Sequence, residues 1–161
     1  MARVLITGST TGLGKAAAEE LLADGHEVVL HARDATRSAD IASLAARATG
    51  TVVGDLSAAA GTRRVADEAN RIGGIDAVIH NAGVYAESVR NGTPEGHART
   101  LAVNTLAPYL LTAWINGPSR LVYLSSGMHR SGDPSLRDLT WDFIGTGTGL
   151  LVCWLVDRYV F

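Results

Sequence analysis

The run Thr7-Gly8-Ser9-Thr10-Thr11-Gly12-Leu13-Gly14 constrains this chain more than any other segment. The apolar Val4-Leu5-Ile6 precedes it, and a helix-forming run, Lys15-Ala16-Ala17-Ala18-Glu19-Glu20-Leu21-Leu22, follows. A strand, a glycine-rich turn and a helix in that order are the first half of a βαβ unit. Gly8 permits a tight turn, Gly12 lets an anion approach the backbone, and Gly14 lets the helix lie close to the strand. The free N–H groups and positive dipole end of the helix then face that anion. Glycines also mark ordinary βα turns; the legible strand before and helix after favour a pocket for a dinucleotide pyrophosphate. Its expected lining is Thr7, Gly8, Ser9, Thr10, Thr11, Gly12, Leu13 and Gly14.

The chain has 161 residues, 47% of them hydrophobic, which suits one domain with one sizeable core. A net charge of −2 offers no electrostatic argument for nucleic acid or an anionic membrane as partner. The N-terminus opens on a strand with no signal-peptide core before it, and the late apolar run from 149 to 156 is far too short to span a bilayer. Cys153 stands alone, so no disulfide framework or cysteine metal site is expected. His26, His31, His80, His97 and His129 show no metal-ligand spacing and read as structural or solvated. A soluble cytoplasmic protein with a small-molecule partner is the resulting expectation.

Strand-like and helix-like stretches alternate. The pattern predicts strands at 4–7, 27–31, 51–53, 77–80 and 120–124, short and unalternating, as suits strands covered on both faces. It predicts helices at 12–23 (closed by Asp24-Gly25), 35–48, from a Ser57 cap to about 72 (stopped by Gly73-Gly74), and from Thr93-Pro94-Glu95 to about 115. Such alternation implies a doubly wound parallel sheet with right-handed helical crossovers.

Arg33 lies just after the second strand, 19 residues beyond Gly14, where a ribose-reading residue belongs. An acid there would accept from a ribose 2′-hydroxyl, whereas a guanidinium can clamp a 2′-phosphate through two donors. Arg33 therefore favours NADP over NAD, with the adjacent Asp34 working against it and a solvated loop charge as the plain alternative.

Four motifs occur in order: Thr7-Gly8-x-x-x-Gly12-x-Gly14, then Asp55-Leu56, then Asn81-Ala82-Gly83 after the fourth strand, then Asn104 in mid-helix. The fifth strand ends in Ser125-Ser126. On these residues, positions 1 to about 140 resemble the short-chain dehydrogenase/reductase family. The resemblance implies a Rossmann-like, three-layer α/β/α NAD(P)-binding domain over 1–140, incomplete on its C-terminal side. It implies hydride transfer between a nicotinamide and a carbonyl or alcohol carbon. By the same token Asp55 accepts from the adenine amino group (or, failing that, caps a helix); Asn81-Ala82-Gly83 reads as a polar turn whose backbone a flat cofactor can approach, its alternative being a plain tight turn. Asn104 holds a water in a proton relay, its alternative being a helix kink, and Ser126 bonds the substrate oxygen.

The resemblance fails at one place. Family chemistry uses a tyrosine, with a lysine four residues later that lowers its pKa. Here the only tyrosine after Ser126 is Tyr159, 33 residues on, and the only lysine of the chain is Lys15. Residues 141–161 carry both phenylalanines, the cysteine and two of three tryptophans, after a break at Gly145-Thr146-Gly147-Thr148-Gly149. This segment is expected to be an atypical apolar tail forming a short helix or strand, either capping the fifth strand or marking a truncated or frame-shifted product. Two functions follow: an NADP-dependent oxidoreductase, or a dinucleotide-binding module without catalysis. Dimerisation is doubtful, since only one of the family's two pairing helices is present.

Overall fold

The structure, a computed structural model, describes residues 1–84 and 92–125 and, for 152–157, the backbone alone. The first β-α-β unit comprises β1 (Arg3–Ile6), α1 (Gly12–Ala23) and β2 (Glu27–Ala32). Two short helices, α2 (Ala35–Ala39) and α3 (Ala42–Ala45), lead to β3 (Gly50–Val53), α4 (Ala59–Ile72) and β4 (Ala77–His80). The next helical region is α5 (Arg99–Leu101), a π-turn at Ala102–Leu106 and α6 (Ala107–Trp114), followed by β5 (Arg120–Ser125) and β6 (Val152–Asp157).

The strands form one sheet in the order β3-β2-β1-β4-β5-β6. The pairings from β3 to β5 are parallel, and β6 joins the edge of β5 antiparallel, with Tyr123 opposite Trp154. Both faces are buried, because alternate residues of a strand serve opposite layers. Leu5, Val29, Val52, Val78 and Leu121 pack against Val65, Ala66 and Ala69 of α4 and Ala107 and Leu111 of α6. Val4, Ile6, Val28 and Leu30 pack on the other side against Ala18 of α1 and Leu44 of α3. The result is a three-layer, Rossmann-like doubly wound sheet. The chain moves outward from β1 to β3, then crosses back to β4, so the loops after β1 and β4 part at the carboxyl edge. A crevice at that switch point is where ligands of such sheets bind.

Three local expectations are corrected. The helix expected over 35–48 is broken at Asp40–Ile41: Ile41, with φ −115° and only 1% exposed, turns into the core with Leu44, and burial of that side chain outweighs helix continuity. The helix expected from Thr93 begins instead at Arg99. Thr93–Gly96 is a turn, with Gly96 at φ +80° and His97 N–H donating to Thr93 Oγ1. The third concerns α4. Ser57 does not cap it: the N-cap position is Ala58, the Ser57 N–H donates to Asp55, and Ala59 N–H donates to Glu95 Oε1 at 2.8 Å. Glu95, the residue read as the first turn of the next helix, thus serves the start of α4. The backbone bond holds its carboxyl below the usual carboxylate range. Among the described residues no helix is long and apolar enough to cross a membrane.

Candidate dinucleotide site

The loop after β1 is fastened to the turn after β4. Thr7 is 2% exposed, and its Oγ1 accepts from the N–H groups of Asn81 and Ala82, each at 3.0 Å. In return, Asn81 Nδ2 donates to Thr7 O at 2.9 Å and Gly8 O at 3.1 Å. These four bonds knit the loop 7–14 and the Asn81-Ala82-Gly83 turn into one rigid floor across the switch point. Gly14 lies beneath that floor: a Cβ there would collide with Asn81 Nδ2 and meet Gly8 O at 2.5 Å, so only glycine lets α1 come this close. Gly12 differs. Its φ of +57° is a left-handed conformation that suits glycine, and open space lies where its Cβ would be.

The N-terminal end of α1 carries no neutralising group of its own. Its N-cap residue, Thr11, makes no side-chain cap bond, and the first turn holds no acid. The partial positive charge of a twelve-residue helix is therefore available to an external anion. Thr10 is half-buried, and Thr11, Gly12 and Leu13 are exposed. Ser9 is fully buried; its Oγ accepts from the His31 N–H at 2.8 Å, so its hydroxyl shapes the loop from beneath.

The exit of β2 carries Arg33 and Asp34. Arg33 Nε donates to Asp34 Oδ2 at 3.1 Å, its one partner among the described residues, and half of the side chain is in solvent. Asp34 also caps α2 by accepting from the Arg37 N–H at 2.9 Å. That bond first, and Arg33 second, hold its carboxyl below the usual range. At the exit of β3, Asp55 is exposed at the carboxyl edge and accepts from the Ser57 N–H at 2.9 Å through Oδ1. The neighbouring Leu56 is 5% exposed and packs into the core with Val52 and Val65.

Asn104 sits in the π-turn and is 6% exposed. Its Oδ1 accepts from the Val84 N–H at 2.9 Å and its Nδ2 donates to the Val84 carbonyl at 3.1 Å. Both ends of the buried amide thus find partners in the backbone just past the Asn81 turn. Ser126 lies outside the described residues, one position past the last residue of β5.

Two histidines matter more than the sequence suggested. His31 bridges the loops after β1 and β3: its Nδ1 accepts from the Gly8 N–H and its Nε2 lies against the Gly54 carbonyl, both at 2.9 Å. Burial lowers its pKa, against the opposing pull of the Gly54 carbonyl and Asp55. His80 stacks on Tyr123 at 4.7 Å between ring centroids, with Thr112 Oγ1 at 3.2 Å from its Nε2 and 2.7 Å from the Tyr123 hydroxyl. Burial pushes the pKa of His80 down to about 4. The available sequence signal was a polar residue inside an apolar strand, which both histidines are.

Comparison with known proteins places this architecture. The short chain dehydrogenase family matches residues 2–116. An uncharacterised oxidoreductase of Emericella nidulans is 47% identical over 143 residues, covering 87% of this chain and 56% of that protein. A short-chain dehydrogenase of Gibberella zeae is 43% identical over 141 residues, covering 88% of this chain and 54% of its own length. Among solved structures, a short-chain dehydrogenase from Sphingobium yanoikuyae in complex with NADPH superposes with a TM-score of 0.57 at 32% identity, over 71% of this chain and 47% of that one. The chain belongs to the short-chain dehydrogenase family. It spans about half the length of the curated relatives it matches.

Proposed function

We propose that the chain binds NADP(H) across the switch point for a hydride transfer between the nicotinamide and a carbonyl or alcohol carbon. The observation that carries this reading is the α1 N-terminus: a helix end with neither cap nor acid, opening on Gly12, above a floor locked by Thr7 and Asn81. The pyrophosphate belongs against the backbone of 8–14, with Thr10 and Thr11 beside it. Asp55 has Oδ2 in addition to the bonded Oδ1 and suits the adenine amino group. Leu56, held in the core, fixes the backbone there. The Asn81-Ala82-Gly83 backbone forms the wall along the nicotinamide half. Arg33, bound to Asp34 only through Nε, keeps its two Nη groups for a 2′-phosphate. The NADPH complex of the Sphingobium relative supports a nicotinamide dinucleotide as the ligand class.

NADP(H) would supply or accept the hydride; the protein must manage the proton on the substrate oxygen. Ser126, just past β5, is proposed to bond that oxygen. Asn104, by holding Val84, is proposed to shape the same end of the crevice. A second reading rests on one observation: residues 1–161 contain no Tyr-x-x-x-Lys pair. On that reading the polypeptide binds cofactor without turnover, since loss of general acid catalysis costs roughly 10²–10⁴ in rate.

Fluorescence titration with NADPH and NADH, then assay against a panel of aldehydes and ketones, separates these readings. Binding followed by turnover supports the oxidoreductase and implies another proton donor; binding alone supports the module. Arg33→Ala should weaken NADPH about tenfold, the equivalent of one charge-assisted hydrogen bond at a half-exposed site, and leave NADH unchanged. Equal affinity of the unmodified protein for the two cofactors would refute the NADP preference.

A further inference from the structure

We infer that His31 is a positioning residue for the cofactor loop, its neutral imidazole holding the turn at Gly8 from beneath and making dinucleotide binding acid-sensitive. This rests on the proposal that the loop holds NADP(H).

The geometry assigns the imidazole its state. The Gly54 carbonyl can only accept, so Nε2 must carry the hydrogen that bridges the 2.9 Å between them. The Gly8 N–H can only donate, so Nδ1 must be the bare nitrogen it meets, also at 2.9 Å. Both ring nitrogens are thus used, and only the neutral Nε2–H tautomer satisfies both partners. The backbone of the same residue adds further bonds to the loop. His31 N–H donates to Ser9 Oγ at 2.8 Å and Ser9 N–H donates to the His31 carbonyl at 3.2 Å. One residue of β2 therefore fixes the two loop residues that follow Thr7, and ties them through Gly54 to the exit of β3 next to Asp55.

Protonation would place a hydrogen on Nδ1, pointing at the Gly8 N–H. Two donors would then oppose each other in a site that is 3% exposed. The groups around the ring decide how readily this happens. The loop 7–14 offers only hydroxyls and backbone; Asp55 beyond β3 and the Gly54 carbonyl favour the cation; Glu68 is engaged with the Val53 N–H; Arg33 and Asp34 pair with each other at the surface. Burial outweighs the groups that favour the cation, so the bridge is intact at neutral pH and opens only on the acid side.

The test compares the unmodified protein with His31→Gln, whose amide offers one acceptor and one donor and does not titrate, and with His31→Ala. NADP⁺ affinity is measured by calorimetry from pH 7.5 downward, through every value at which far-UV circular dichroism matches that at pH 7.5. The 2′-phosphate of the ligand itself titrates near pH ~6, so the readout is the difference between proteins. At pH 7.5 His31→Gln should bind within about threefold of the unmodified protein and His31→Ala about tenfold more weakly. As the pH falls the unmodified protein should lose affinity progressively faster than His31→Gln. Without ligand, the Gly8 amide resonance should follow the titration of the His31 ring, and in His31→Gln that titration should vanish. Coincident pH profiles of the unmodified protein and His31→Gln, or a Gly8 amide indifferent to His31, would overturn the inference. If Gly8 titrates with His31 but no NADP⁺ binds at pH 7.5, it is the cofactor reading that falls, and the role in binding falls with it.

Discussion

Two buried imidazoles sit at the carboxyl edge of the sheet, and their surroundings give them different consequences. His31 has a partner on each nitrogen. His80 has Thr112 on one, while its Nδ1 is buried with no partner among the described residues. A bare lone pair is cheaper to leave unpaired than an N–H, so His80 fits best donating from Nε2 to Thr112, which can then donate to the Tyr123 hydroxyl. Among the described residues no charge balances a cation at His80, and burial alone carries its pKa to about 4 from 6.5. The unfolded chain therefore binds more protons than the folded one between these values. Stability from this residue is complete above pH 6.5 and is lost as pH falls toward 4, a change of about 3 kcal/mol at about 1.4 kcal/mol per pKa unit. His31, shifted in the same direction, adds to the same acid-side loss. His80→Asn keeps a polar partner for Thr112 and removes the titration. Urea midpoints should then fall less steeply from pH 6.5 to 4 than in the unmodified protein; parallel profiles would show that His80 is not buried as described.

At the scale of elements, the contact between α1 and the turn after β4 joins fold to site. At Gly14 the two come so close that a Cβ would not fit. Gly14→Ala would push a methyl group against Asn81 Nδ2, whose bonds to Thr7 and Gly8 hold the floor together. Overpacking of this kind costs about 1–3 kcal/mol. The expected result is a lowered urea midpoint with a larger relative loss of NADPH affinity, because the Asn81 amide must move before the helix does. A variant with unchanged affinity would separate the floor from the binding site. That Gly14 lets the helix come close was legible in the sequence, from three glycines at fixed spacing after an apolar run; that the Asn81 amide is what it approaches was not. The strand cores were legible for the same reason: short apolar runs need covering on both faces. Glu95 was not. Thr93-Pro94-Glu95 carries every local sign of a helix start, yet Gly96 at φ +80° turns the chain and Glu95 bonds Ala59, 36 residues away. The bridge made by His31 was also hidden, because its partners are the backbone of Gly8 and Gly54, which no side-chain pattern records. Ile41 similarly breaks a plausible helix for a packing reason visible only in three dimensions.

For the molecule as a whole, the sheet must end somewhere. β3 forms one edge, short at four residues. At the other, β5 would present a row of unpaired backbone groups for six residues were β6 not paired along its full length, from Arg120 opposite Asp157 to Ser125 opposite Val152. Exposed strand edges recruit other chains. The segment whose composition set it apart in the sequence thus supplies, in β6, the backbone that covers β5 and itself becomes the last strand of the sheet, and it does so antiparallel where the five preceding strands run parallel. A chain ending at residue 140 tests its contribution. The other five strands, with their packing on α1, α4 and α6, remain, so far-UV circular dichroism should show a folded protein. The amides of β5 that face β4 should keep their protection from hydrogen exchange, while those that face β6 lose it. Light scattering at rising concentration should reveal more association than in the full chain. If the shortened chain associates no more than the full one and β5 exchanges uniformly as before, β6 contributes nothing to covering β5, and the apolar character of its sequence needs another cause.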